Sequence, residues 1–367
     1  MKLLIATPLY PPDSGGPATY SRELEQGLPA RGIEVILVKF TDVRRLPKII
    51  RHIVYGVRVY RAARGCDLVY ALDAMSVGVP ARIAAAFARK PFVVKIVGDY
   101  AWEQGRQRFG ITTTLDEFVE KRGTPFPLSA LQSIQTRVAK SARCVIVPSS
   151  YLKGIVEAWG LGPEHIEVIN NAIRSEEPTA LVTAIAALPR PLVVSVGRLV
   201  PWKGFGELVD ALAILRDRGV HASLAVIGDG PDREWLERHA RARLGDGAVC
   251  AGALSHRDTF EAIRSADVFV LDSLYEGLSH TLIEALLAGT AIVASDIGGN
   301  REVIRHEDNG LLVPPGKTRP LAEALERLLT DPSLRTRLSA RARESAEKFS
   351  IDRMLAATAS ALRTLVV

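Results

Sequence analysis

The sequence predicts an α/β protein made of two doubly wound parallel-sheet halves, and three observations carry that reading. Short apolar, strand-like runs alternate with amphipathic helical stretches throughout the chain, the pattern of repeated βα units. The alternation breaks once, where the polar stretch 170–178 leads to Pro189-Arg190-Pro191, whose prolines neither continue a helix nor donate to a sheet ladder. A fresh βα series begins just after that break, and 367 residues suffice for two domains with a core each.

Taken in order, the strands of the first half fall at 2–7, 34–39, 68–71, 92–97, 144–148 and 166–169. The first resembles the start of a signal peptide, Met1-Lys2-Leu3-Leu4-Ile5-Ala6. It runs into Pro11-Pro12-Asp13-Ser14-Gly15-Gly16 without a full apolar region or a cleavage site, so it reads as a strand. Between the second and third strands, Asp42 and Asp67 bracket a stretch with no acidic residue and seven cations: Arg44, Arg45, Lys48, Arg51, Arg58, Arg61 and Arg64. Leu46, Ile49, Ile50, Ile53, Val54, Val57 and Tyr60 recur there at helical spacing, which predicts a basic amphipathic helix over 44–64. Two uses stay open. Its apolar stripe packs on its own sheet while the cations are solvated, or the helix docks to anionic lipid headgroups. The fourth strand ends in Gly98-Asp99-Tyr100. The second half repeats the pattern with strands at 192–196, 223–227, 248–251, 268–271, 291–294 and 310–313.

Composition narrows the class. Apolar content of 47% with 24% charged residues is that of a soluble globular chain, and no run approaches the roughly 20 apolar residues of a membrane span. Cys66, Cys144 and Cys250 are widely spaced with no C-x-x-C pair, and the seven histidines form no metal-binding cluster. The expectation is a cytoplasmic protein that holds no metal. The net charge of +6 is unevenly placed, with 23 Lys/Arg against 15 Asp/Glu through Asn170 and 24 against 26 after it. That asymmetry suggests that the two halves meet different partners. Nucleic acid is not among them, because the cations sit on one helix without interleaved stacking aromatics.

Ligands of doubly wound sheets gather at the carboxyl ends of the strands, so the post-strand loops are where chemistry is sought. Arg198 and Lys203 share one such loop, flanked by Gly197 and Gly204, a pair of cations suited to a diphosphate. Gly228 opens Gly228-Asp229-Gly230-Pro231, and Asp296-Ile297-Gly298-Gly299-Asn300 follows a later strand. After the first strand, Gly15-Gly16 lets backbone N–H groups approach an anion. It is not G-x-G-x-x-G, which speaks against a dinucleotide enzyme. The stretch Glu276-Gly277-Leu278-Ser279-His280-Thr281-Leu282-Ile283-Glu284 carries two carboxylates seven residues apart. Thr281-x-x-Glu284 fits a capping box, with Glu284 in the first turns of a helix and Glu276 in the loop before it. The helix start near Ser279 also offers N–H groups to a phosphate, and the carboxylates are acceptors for paired sugar hydroxyls.

The set Gly-Arg-Leu…Trp-Lys-Gly (197–204), Ile-Gly-Asp-Gly-Pro (227–231), Glu-x7-Glu (276–284) and Asp-Ile-Gly-Gly-Asn-x-Glu (296–302), behind an N-terminal Gly-Gly loop, resembles the retaining glycosyltransferases of the GT-B fold, above all family 4. The resemblance implies two Rossmann-like domains facing a central cleft: an acceptor domain over 1–170, a nucleotide-sugar domain over 171–348, and a helix over 349–367 crossing back to the first. It assigns Arg198 and Lys203 to the diphosphate and the leaving nucleotide, Glu284 to the ribose hydroxyls and Glu276 to the transferred sugar. Gly15, Gly16, Gly197, Gly228, Gly277, Leu278 and Ser279 would shape the nucleotide pocket. No metal or other cofactor is expected, because two cations and a helix N-terminus meet the developing charge. Many family members have a histidine near the sugar at the end of a first-domain strand; here Asp99 takes that place, as an acceptor-orienting base or as a turn residue. The donor would be a nucleoside diphosphate sugar, UDP before GDP, and the acceptor a hydroxyl on a glycan, a lipid-linked sugar or a small molecule. The alternative is a GT-B nucleotide-sugar epimerase, and a third is a nucleotide-binding module without activity.

Overall fold

The computed structural model describes residues 1–13, 15–120 and 124–366; Ser14 of the first loop and Val367 of the predicted last helix lie outside the described residues. The chain divides into two compact units, one of Met1–Ala172 with Ile351–Val367 and one of Ile173–Ser350.

The first unit holds strands β1 (Lys2–Thr7), β2 (Glu34–Lys39), β3 (Leu68–Ala71), β4 (Phe92–Lys95), β5 (Cys144–Val147) and β6 (Ile166–Val168). They form a sheet of order β2-β1-β3-β4-β5-β6, and every pair is parallel. The second unit holds β7 (Leu192–Val196), β8 (Ser223–Ile227), β9 (Ala248–Gly252), β10 (Val268–Leu271), β11 (Ala291–Ser295) and β12 (Leu311–Val313). Their order is β12-β11-β10-β7-β8-β9, again all parallel. All twelve predicted strands are present, with ends displaced by at most two residues. The largest change is at β4, which stops at Lys95 rather than 97.

Both faces of each sheet are covered, which is why the strands read as continuous apolar runs rather than as alternating ones. The second unit shows the consequence residue by residue. Val193, Val226, Val270 and Val293 point to one side, under the helices Phe205–Asp217, Arg233–Leu244 and Thr318–Thr330. Val194, Ile227, Phe269 and Ile292 point to the other, under the helices His256–Ser265 and His280–Ala288. The last helix, Ile351–Arg363, belongs to the first unit, where Met354, Leu355 and Leu362 join Leu3, Tyr20 and Leu24 in the core. It can lie close because Gly27 has no side chain: a Cβ there would sit 2.2 Å from a Leu355 methyl.

The strand order reverses between β1 and β3 in the first sheet and between β7 and β10 in the second. At such a reversal the neighbouring helices leave on opposite sides, opening a crevice beyond the carboxyl ends of the strands.

The basic segment forms a helix over Lys48–Ala63, and its apolar stripe is only partly packed. Tyr55, Val59 and Ala63 are buried, whereas Ile49, Ile50, Ile53 and Val57 are exposed. Of the two uses left open, packing of the predicted stripe on its own sheet is therefore not what these positions show. Six of the seven predicted stripe positions, Leu46, Ile49, Ile50, Ile53, Val57 and Tyr60, are exposed.

Candidate active site

The loops after β7 and β10, the strands that flank the reversal in the second unit, bring the predicted residues together. The first runs from Gly197 through Arg198 to Lys203 and Gly204; the second runs from Asp272 to Ser279. They are tied by the Leu274 N–H donating to the Trp202 carbonyl at 2.8 Å. Gly204 has φ 70°, and a Cβ there would lie 2.1 Å from the Asp272 carbonyl oxygen, so only glycine lets the loops touch. The neighbouring loops close in similarly. A Cβ on Gly228 would meet the Gly197 carbonyl at 1.9 Å, and one on Gly299 would meet the Glu276 carbonyl at 2.4 Å. Backbone of the adjacent loop therefore stands against these glycines, and their spacing sets loop packing.

Lys203 Nζ lies 2.5 Å from Glu276 Oε1, and the Ser273 hydroxyl donates to the same oxygen at 2.7 Å. Glu276 is 9% exposed, so the pair is shielded from much of the solvent that weakens surface ion pairs. An ammonium has three N–H donors, so Lys203 keeps two beyond the one given to Glu276. Arg198 is exposed and makes no ion pair among the described residues. Two cations and a held carboxylate thus stand at one sheet crevice.

The capping box is corrected. The helix His280–Ala288 is capped by Ser279, whose Oγ accepts from the Leu282 N–H at 3.3 Å and lies 2.9 Å from Thr281 Oγ1. Ser279 comes three residues before Leu282, so the cap falls two positions ahead of the Thr281 that the motif suggested. Glu284 is therefore mid-helix, with no cap role. The Leu278 side chain belongs to the apolar core, which leaves only its backbone for a ligand.

Glu284 has a partner that its spacing gave no sign of. Its Oε1 lies 3.0 Å from His256 Nε2, near enough for an ion pair but out of line for a hydrogen bond. His256 Nδ1 lies 2.9 Å from Glu176 Oε1 with good geometry. The imidazole bridges two carboxylates. Contact with Glu284 raises its pKa above the ordinary histidine value; burial opposes the rise and Glu176 adds to it. A histidine whose folded pKa is raised stabilises the fold fully below about pH 6.5, and loses that contribution as pH climbs through the raised value. His256→Gln should therefore lower stability by roughly 1 kcal/mol at about pH 6 and by almost nothing at about pH 9. Thermal melts at both pH values read this, and an equal shift at both would rule out the bridge.

Asp272, at the end of β10, was not anticipated at all. It is buried with neither carboxylate oxygen hydrogen-bonded among the described residues, and burial, helped by Glu207, pushes its pKa up to about 8. Only its position after a strand could have marked it.

Three predicted residues belong to the first unit. Gly15, at φ 121°, caps the helix Gly16–Gly27 with Gly16 as its first residue. Asp99 is fully buried and caps the helix Tyr100–Arg108, its Oδ1 accepting from the Trp102 N–H at 2.9 Å. The structure thus gives it the turn-residue task. Burial holds its carboxyl above the usual carboxylate range.

Two doubly wound parallel sheets, the second with Lys203 and Glu276 paired between the loops that flank its point of strand reversal, define a protein of the GT-B class. Residues 14–177 match the family model described as Glycosyltransferase Family 4, and residues 184–345 match that of the Glycosyl transferases group 1. The chain belongs to this glycosyltransferase family. It is 37% identical over 151 residues to the alpha-D-kanosaminyltransferase of Streptomyces kanamyceticus, covering 41% of this chain and 39% of that one. It is 33% identical to the lipopolysaccharide core biosynthesis glycosyltransferase LpsE of Rhizobium meliloti, covering 60% of this chain and 64% of that one. The match thus spans less than two thirds of either relative's length. The fold is shared across the whole chain with Anabaena HepE in complex with UDP and glucose, at a TM-score of 0.77, 20% identity and 100% coverage of both.

Proposed function

We propose that the protein transfers a sugar from a nucleoside diphosphate sugar, UDP in preference to GDP, to a hydroxyl acceptor with retention of configuration and without a metal. One observation carries the reading: Lys203 and Arg198 stand with the Lys203-bound Glu276 at the crevice of the second sheet. Arg198 and the two spare donors of Lys203 take the diphosphate, and their charge stabilises the negative charge that grows on it as the bond to the sugar breaks. Glu276, fixed by Lys203 and Ser273, presents its second oxygen to hydroxyls of the transferred sugar. Glu284, oriented by His256, takes the ribose hydroxyls. The acceptor oxygen attacks on the face that the phosphate leaves, and the departing phosphate oxygen receives its proton. Retention follows without a nucleophile from the protein. Asp99 is given no step in this scheme; its Oδ1 accepts from the Trp102 N–H at a helix start.

The acceptor class is the hydroxyl of a glycan or glycolipid under assembly. The name of the LpsE relative supports this acceptor class, and the UDP in the HepE complex supports the donor nucleotide.

Incubation with UDP- and GDP-sugars tests the proposal. Transfer to an added acceptor with an axial product linkage from an axial donor is expected, at a rate unchanged by EDTA. An equatorial product, EDTA-sensitive turnover, or epimerisation of the donor with no acceptor present would each overturn it. The ribose contact has its own readout. Wild-type protein should prefer UDP over 2′,3′-dideoxy-UDP, and Glu284→Gln should lose about tenfold in UDP affinity, closing that gap. A preference kept in Glu284→Gln would place the ribose elsewhere.

A further inference from the structure

The helices Lys48–Ala63 and Gly78–Ala88 of the first unit enclose a groove of about 860 Å³ that the proposed chemistry does not use. Ile49, Ile53, Val57 and Tyr60 line it from one helix, Ile83 and Phe87 from the other. Ile49 and Phe87 are each 77% exposed and Ile53 is 62% exposed, so their side chains stand out in solvent rather than closing over the core. Large apolar side chains clustered in this way mark a surface that meets something apolar.

Charge says what that is. Arg45, Lys48, Arg61 and Arg64 lie on the same helix, in its leading turn or at its C-cap, exposed, with no ion pair among the described residues. The nearby acids offset only two cations of this segment among the described residues, Arg58 and Arg44. Asp42 and Asp13 pair with Arg58 and Arg44 at 3.6 and 3.2 Å, and the Asp73 carboxylate accepts from the Met75 and Val77 amides. The Gly78–Ala88 helix carries no acid and is followed by Arg89 and Lys90. An apolar groove edged by unneutralised cations is complementary to acyl chains beneath anionic headgroups, and an acidic protein surface would leave the isoleucines and Phe87 unmatched.

We propose that this face docks on the anionic surface of a lipid bilayer, with Ile49, Ile53 and Phe87 entering the acyl region and Arg45, Lys48, Arg61 and Arg64 meeting headgroup phosphates. The docking does not depend on the transferase reading, because it is measured with no sugar or nucleotide present.

Co-sedimentation with vesicles of phosphatidylcholine, with and without phosphatidylglycerol, tests it. Binding is expected only to the anionic vesicles and should weaken as salt is added. Arg45→Ala with Arg61→Ala should lower vesicle affinity about fivefold for each charge removed. Ile53→Ser with Phe87→Ser should lower it about tenfold or more while leaving the melting temperature unchanged, since both side chains are already exposed. Equal binding to neutral vesicles, or affinity indifferent to both double variants, would overturn the proposal. So would light scattering that shows a dimer split by Phe87→Ser in a protein that ignores vesicles, because the face would then belong to a second copy.

Discussion

Lys203→Ala is expected to lower kcat/KM about a hundred- to a thousandfold, the range for removing one preorganised group that stabilises transition-state charge. It should also weaken binding of the free nucleoside diphosphate, since half of the proposed phosphate clamp is gone. Glu276→Ala should behave differently. Lys203 Nζ sits 2.5 Å from Glu276 Oε1, so the carboxylate offsets part of the positive charge that a diphosphate would meet. Without it, Lys203 is freed, and nucleoside diphosphate affinity should hold or rise while turnover falls by at least about a hundredfold. Calorimetric titration with UDP next to initial rates separates the two effects. If both variants lost nucleotide affinity equally, Glu276 would be a nucleotide ligand and its assignment to the sugar would fail. The double variant supplies a further check. Residues in direct contact couple, so its loss should fall well short of the sum of the single losses.

Asp272→Asn is the second large expectation, and it concerns stability. The ordinary aspartate pKa is near 4, and burial holds this one at about 8. Between those values the folded state binds the extra proton, so the wild-type fold loses stability as pH rises through that window. A carboxamide of the same shape does not ionise. Asp272→Asn should therefore gain little at about pH 4 and roughly 1–3 kcal/mol at about pH 9, several degrees in the melting temperature. A stability difference that stayed flat across that range would show that Asp272 is ionised in the folded protein and finds partners there. The position also bears on the site, because the Asp272 carbonyl backs Gly204 beside Lys203. A neutral Asp272 leaves the Lys203–Glu276 pair free of a third charge, which suits a crevice built for a dianionic group.

The elements were legible from the sequence because each is a local pattern. Short, mostly apolar runs of four to six residues alternating with helical stretches marked all twelve strands, and the loops after β7 and β10 lie where parallel sheets gather ligands. The misreadings are as specific. Thr281-x-x-Glu284 matched a capping box, but Ser279 two positions earlier had the extended backbone of a cap, with φ −75° and ψ 122°, and took the role. Asp99 was open to two readings, acceptor-orienting base or turn residue, and its Oδ1 accepts from the Trp102 amide at a helix start, a contact that the spacing of residues did not record. A short motif records which residue types are compatible with a role. It does not record which of two adjacent candidates the backbone selects.

The sequence by itself determined two βα series, the break between them, the glycines that let the loops meet, and the cations and carboxylates of the second half. These depend on period, volume and backbone freedom, which are properties of neighbours along the chain. Only the tertiary structure decided that Lys203 clasps Glu276 across 73 residues, that His256 joins Glu284 to Glu176, that Asp272 is buried with neither oxygen hydrogen-bonded among the described residues, and that Ile49, Ile53 and Phe87 share an open groove. Each of these depends on distance and on exclusion of water. Coulomb attraction and desolvation act through space, so residues far apart in sequence set one another's charge state once the fold has brought them within a few ångströms.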